Sequence, residues 1–176
     1  MELLISSDEI AAKLKIAAAQ ISQDFQGKKL TIVIIMKGAI CLASDLMREL
    51  HDTSFTVEYL KASSYGQLGI QQGKLTLSSL EGLSSIEGRD LLVVDDIFET
   101  GNTLFHVCEH LKTLKPSSIR TLILLAKEVE RKVLYGPDYI LFHIPNRFVV
   151  GYGLDYKELY RGLPGIYAFL DDNPPC

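Results

Sequence analysis

Apolar residues in this chain gather into short unbroken runs set between amphipathic stretches. Leu30 to Met36 has no alternation of apolar and polar positions and is rich in β-branched residues. Bounded by Gly27 and Gly38, it predicts a strand buried on both faces. Phe55 to Lys61, Leu91 to Val94, Ile119 to Ala126 and Tyr139 to His143 predict further strands. Ser6 or Ser7 followed by Glu9-Ile10 reads as a cap, opening a helix from about Asp8 to Asp24. Helices are also expected over Ala39 to Leu50 and over Asn102 to Leu114, the latter stopped near Pro116.

Strand and helix therefore alternate, which predicts an α/β fold: a mostly parallel five-stranded sheet with helices on both faces. Beyond Pro145 the elements shorten to Phe148–Val150, a helical turn near Tyr156 to Tyr160, and a strand around Ile166 to Phe169. With the N-terminal segment they predict a small hood over the strand ends, from roughly residues 1–10 and 145–176. Residues 62–79 are small and polar, with Gly66, Gly69 and Gly73, and read as a long mobile loop or loose hairpin. No repeat or linker interrupts the chain, so a single domain over 1–176 is expected. The tail from Asp171 to Cys176 reads as frayed.

The formal net charge of -4 counts against nucleic-acid or anionic-membrane partners, which favour basic surfaces. It does not exclude a small anionic substrate. The apolar run nearest the N-terminus is too short to span a bilayer, and Met1 to Leu4 lack the basic start of a signal peptide. Cys41, Cys108 and Cys176 are odd in number and widely spaced. They suggest reduced thiols in the cytoplasm rather than a zinc or disulfide framework.

The chemistry concentrates between Leu91 and Leu104. An apolar strand runs into Asp95 and Asp96, then Glu99, then a Thr100-Gly101-Asn102-Thr103 turn that opens a helix. Such a turn exposes backbone N–H groups at a helix N-terminus, which suits a phosphate. The carboxylates would repel that phosphate, so they want sugar hydroxyls, a divalent cation or a proton. Two such carboxylates about 6 Å apart repel by roughly 3 kcal/mol at an effective dielectric near 20, a cost that donors or Mg²⁺ would offset. Acid beside a phosphate turn describes a site for a ribose 5-phosphate. His106 and His110 share a helix face, but without a third ligand at clear spacing they read as ordinary helix residues.

This segment resembles the phosphoribosyl pyrophosphate (PRPP) signature of the type I phosphoribosyltransferases. Met36-Lys37-Gly38 resembles the pyrophosphate loop of the hypoxanthine-guanine branch, and Ser63-Ser64-Tyr65-Gly66 its mobile active-site loop. Lys127, Ile144 to Tyr156 and Arg161 resemble its purine-binding part, so the likeness runs from about Ile5 to Phe169.

The resemblance implies a Mg²⁺-dependent enzyme that transfers the 5-phosphoribosyl group of PRPP to a 6-oxopurine in purine salvage. It implies the ribose on Asp95 and Asp96 and the 5-phosphate on Thr100, Gly101, Asn102 and Thr103. Pyrophosphate is implied near Lys37, Gly38, Ser64, Tyr65 and Arg161, with Arg131 a weaker candidate. The purine is implied near Lys127, Arg147, Phe148, Val149 and Asp155. Asp95, Asp96 and Asp155 are the implied metal contacts, and a homodimer or homotetramer the implied assembly. A cis peptide at Met36–Lys37 is also common in the family.

The chain departs from the family at Glu99, where aspartate is usual and is thought to serve as general base or acid at purine N7. Arg147 replaces a more usual lysine, and Ala39 a frequent second glycine. Glu99 leaves open a rival reading, a regulator that binds PRPP or a nucleotide without turnover. A phospho-acceptor receiver domain would need acids just after the first strand, where this chain has Lys37-Gly38.

Overall fold

The computed structural model describes residues 1–63, 76–78, 86–129 and 136–170. The chain runs β1 (Glu2–Ile5), α1 (Ser7–Asp24), β2 (Leu30–Met36), α2 (Ile40–Glu49), β3 (Phe55–Ser63) and β4 (Thr76–Ser78). It continues through β5 (Asp90–Phe98), α3 (Asn102–Thr113), β6 (Ser118–Lys127), β7 (Tyr139–Ile144), β8 (Val149–Val150) and β9 (Ile166–Ala168).

The main sheet has six strands in the order β4-β3-β2-β5-β6-β7. Five of them are parallel, and the short β4 adds antiparallel to the β3 edge, pairing Ser63 with Thr76. β4 falls within the stretch read as a loop or loose hairpin.

The unbroken apolar strands are explained by burial on both sides. Ile32, Ile34, Leu92 and Val94 face one core, shared with Ile10, Leu14 and Ile21 of α1 and Leu42 and Leu46 of α2. Their sequence neighbours Val33, Ile35, Leu91 and Val93 face a second core with Leu104, Val107 and Leu111 of α3. Successive strand residues point to opposite faces, so only a continuous apolar run fills both.

Only Ser6 separates β1 from α1, and it caps the helix: the Glu9 amide donates to Ser6 Oγ and the Ser6 amide to Glu9 Oε2. Its far end is fastened to the sheet by Asp24, whose Oδ2 accepts from Tyr139 Oη at 2.5 Å and from Arg120 at 2.6 Å.

A three-stranded antiparallel sheet, β1-β9-β8, forms the hood. The N-terminal strand in it was not legible as a strand, because only Ile5 of its four residues is buried. The expected helical turn near Tyr156 is instead a tight reversal in which Tyr156 and Leu159 pair across an isolated antiparallel bridge.

No helix among the described residues is long and apolar enough to cross a membrane.

Candidate active site

The sheet order creates the site. From β2 the chain winds outward to β3, and from β5 it winds the opposite way to β6, so the order reverses between β2 and β5. Crevices at such a point, outside the carboxyl ends of the strands, are where parallel sheets hold ligands. The β2–β5 ladder ends at Ile34 and Val94, whereas the β5–β6 ladder continues to Phe98 and Ala126. Past Val94, β5 therefore has no partner on its β2 side, and a cleft of about 680 Å³ opens there.

Asp95 and Asp96 lie inside β5 rather than beyond it, since the strand runs on to Phe98. Adjacent strand positions send them to opposite faces of the sheet, yet both line the cleft. Asp95 is 5% exposed. Its Oδ1 accepts the Asp96 amide at 3.0 Å, and Asp96 Oδ1 accepts the Ile97 amide at 2.7 Å. Burial, and then the charge of Asp96, push the Asp95 carboxyl well above its ordinary range. Burial raises Asp96 too, opposed by its amide donors and by the charge of Arg161. The site thus holds two carboxyls short of positive partners, a ready demand for donors or a cation.

Asp96 explains the glycine of the β2–α2 loop. A Cβ at Gly38 would stand 1.5 Å from Asp96 Oδ2, so the carboxylate occupies the space a side chain would need. The hood closes on the same loop: a Cβ at Gly153 would stand 2.2 Å from the Gly38 carbonyl oxygen. The Met36–Lys37 peptide is cis.

The turn after β5 leaves the N-terminus of α3 uncapped. Gly101 takes the N-cap of α3 with φ 82°, a left-handed conformation that favours glycine. It offers no side-chain cap, in contrast to the capping box of α1, so the first-turn amides of α3 keep their donors for a ligand. Thr100, Gly101, Asn102 and Thr103 all line the cleft.

Lys127, at the end of β6, is nearly covered, with 11% of its side chain exposed. Its ammonium lies 3.7 Å from Glu99 Oε1, so the longer acid reaches across to the lysine. Phe148 and Val149 line the same end. The Phe148 ring packs edge-on to Tyr156 with centroids 5.6 Å apart and is tilted against Phe169 at 5.9 Å. These two rings set the orientation of Phe148, a role the sequence reading assigned to neither.

Lys37, Asp155 and Arg161 also line the cleft. Arg161 NH1 donates to the Gly153 carbonyl at 2.8 Å, and NH2 pairs with Asp155 Oδ1 at 2.8 Å. Arg161 therefore braces the hood turn while its outer face borders the cleft.

Arg147 is not brought to the cleft. It ties the hood together instead, donating to Glu2 Oε2 at 2.6 Å and to the Phe169 carbonyl at 2.9 Å. Ser64, Tyr65 and Arg131 lie outside the described residues. Ile97 and Leu154, which lie within the segments singled out but were given no role, line the cleft, as does Glu158, which was not foreseen.

Among the described residues, no group of three or more His, Cys, Asp or Glu side chains forms a metal cage. Asp95, Asp96 and Asp155 thus do not make a three-carboxylate site, nor do His106 and His110 find a third ligand. An adjacent all-oxygen pair, Asp95 buried and Asp96 half-buried, still fits Mg²⁺, which is commonly held by one or two carboxylates together with substrate phosphates and water.

Residues 6–157 match the phosphoribosyl transferase domain family. The chain is 40% identical to a hypoxanthine-guanine phosphoribosyltransferase of Staphylococcus aureus over 94% of this chain and 91% of that one. A crystal structure of a hypoxanthine phosphoribosyltransferase from Staphylococcus aureus superposes with a TM-score of 0.84 at 38% identity, covering 96% of this chain and 90% of that one. The chain is also 36% identical to the bifunctional protein TilS/HprT of Listeria innocua, over 94% of this chain but 25% of that longer protein. With the switch-point cleft, the adjacent acids and the uncapped turn in place, these likenesses settle the lineage: the chain belongs to the hypoxanthine-guanine branch of the type I phosphoribosyltransferases.

Proposed function

We propose that the protein transfers the 5-phosphoribosyl group of PRPP to N9 of a 6-oxopurine, releasing pyrophosphate and a purine nucleoside monophosphate. The observation that carries this reading is one cleft holding an uncapped helix N-terminus, a buried Asp95 beside a half-buried Asp96, and a covered lysine.

The 5-phosphate rests on the first-turn amides of α3, with the hydroxyls of Thr100 and Thr103 as further donors. The ribose hydroxyls donate to Asp95 and Asp96, which offsets the cost of keeping those carboxylates buried and charged. Lys37 and Arg161 receive the pyrophosphate. Asp95, Asp96 or Asp155 would hold Mg²⁺, which when bound would supply charge neutralisation of the leaving group.

Lys127 donates to the 6-oxo group of hypoxanthine or guanine and opposes the 6-amino group of adenine, which is itself a donor. Phe148 and Ile97 give apolar walls for the purine rings. As the bond from ribose C1 to the pyrophosphate oxygen breaks, N9 forms its bond to C1. Glu99, exposed over 48% of its side chain, takes or returns the proton on the imidazole part of the base.

A spectrophotometric assay of hypoxanthine, guanine, xanthine and adenine with PRPP, with and without Mg²⁺, tests the proposal. Metal-dependent turnover of 6-oxopurines and little of adenine is expected. No reaction with any 6-oxopurine would overturn it.

A further inference from the structure

Glu158 had no role in the sequence reading, yet its carboxylate sits among the cations of the cleft. Lys37 Nζ donates to both of its oxygens, each at 3.1 Å, and Arg161 NH2 reaches Oε2 at 3.2 Å. Lys37 belongs to the β2–α2 loop and Arg161 to the hood, so one carboxylate joins the two sides. The turn that presents it is well defined. Lys157 and Glu158 take left-handed φ angles of 50° and 65°, and the Glu158 amide donates to Asp155 Oδ2 at 2.8 Å. The side chain is 66% exposed, so charge rather than packing holds it in place. Its hydrogen bonds from Lys37 and Arg161 keep its carboxyl below the usual range, so it is an anion at neutral pH. Two oxygens accepting from an ammonium and a guanidinium reproduce the acceptor pattern of a phosphate group.

We infer that Glu158 is a resident stand-in for the diphosphate: it neutralises Lys37 and Arg161 in the free protein, and a diphosphate-bearing ligand binds by displacing it from both. The inference rests on the reading of Lys37 and Arg161 as the pyrophosphate end of the cleft. Glu158 then weakens binding of PRPP and pyrophosphate and helps the product leave by reclaiming the cations. A nucleoside monophosphate, which has no diphosphate, does not compete with it.

Calorimetric titration of inorganic pyrophosphate, and separately of guanosine monophosphate, into the wild type, Glu158→Gln and Glu158→Ala tests this, with Mg²⁺ present. Pyrophosphate should bind both variants about three- to tenfold tighter, the range expected for losing two exposed ion pairs. The KM for PRPP should fall in parallel, guanosine monophosphate affinity should stay unchanged, and Glu158→Asp should remain near the wild type. Unchanged or weaker pyrophosphate binding in both variants would overturn the inference, because Glu158 would then be positioning the cations. Equal tightening of both ligands would overturn it too, as a general gain of positive charge. Exposure of the side chain makes both substitutions compatible with the fold, and melting curves verify that. Failure of the wild type to bind either ligand or to turn over a 6-oxopurine would instead count against the proposed function.

Discussion

Asp95 is the residue on which pH should act most visibly. Its carboxyl is raised in the folded chain by burial and by Asp96, so the fold holds that proton to higher pH than the unfolded chain does. The ligand-free protein therefore loses stability as pH rises from the ordinary aspartate range through the elevated value. Asp95→Asn removes this loss. Its melting temperature should exceed the wild type's at neutral pH, by about 2–4 °C for each kcal/mol recovered, and the gap should close toward about pH 4. Glu99→Gln should lower turnover by about 10²- to 10⁴-fold with the fold intact, and Glu99→Asp should retain activity; near-normal turnover of the glutamine variant would remove Glu99 as the proton carrier. Lys127→Gln should weaken hypoxanthine use about 10- to 100-fold in kcat/KM, the value of a charged hydrogen bond, without creating adenine activity. The acids, the turn and the lysine were legible in the sequence because charged and small residues interrupt apolar strands there. Arg147 was misplaced because a motif fixes backbone position, whereas its long side chain follows Glu2 and the Phe169 carbonyl into the hood. Glu158 gave no signal because an exposed glutamate looks the same whether it meets water or two cations.

At the scale of elements, the decisive features are where β5 ends and what faces it. Ladder pairing with the ten-residue β6 carries β5 past the acids to Phe98, whereas the apolar run alone pointed to an end at Val94. Gly38 is the complementary feature of the β2–α2 loop. Gly38→Ala would drive a methyl group into the Asp96 carboxylate, so PRPP binding should be lost while circular dichroism stays native. Away from the cleft, Tyr139→Phe should cost about 1 kcal/mol by removing one donor to Asp24, lowering the melting temperature by about 2–4 °C without changing kcat. The Tyr139 hydroxyl is pushed up to about 12, chiefly by burial and by the Asp24 hydrogen bond, so that contribution persists across the physiological pH range. The central strands and the three helices among the described residues were readable because burial on two faces or one stripe leaves a long periodic record. β1, β4 and the Tyr156–Leu159 reversal were not, because they carry no continuous apolar run and are defined by partner strands or by a single bridge.

At the scale of the molecule, one sheet reversal brings together residues from β2, β5, β6 and the hood that lie more than a hundred positions apart in the chain. Strand–helix alternation made the sheet legible in the sequence. The strand order, and with it the exact facing of Lys37 on Glu158, followed only from the folded chain. The central claim is that a ribose 5-phosphate lies between the acids of β5 and the uncapped turn of α3. A crystal structure of the protein with guanosine monophosphate and Mg²⁺ bound tests it most directly. The account predicts the 5-phosphate on the amides of residues 100–103 and the ribose hydroxyls within hydrogen-bond distance of Asp95 or Asp96. A nucleotide bound elsewhere, with those carboxyls left facing solvent, would contradict it.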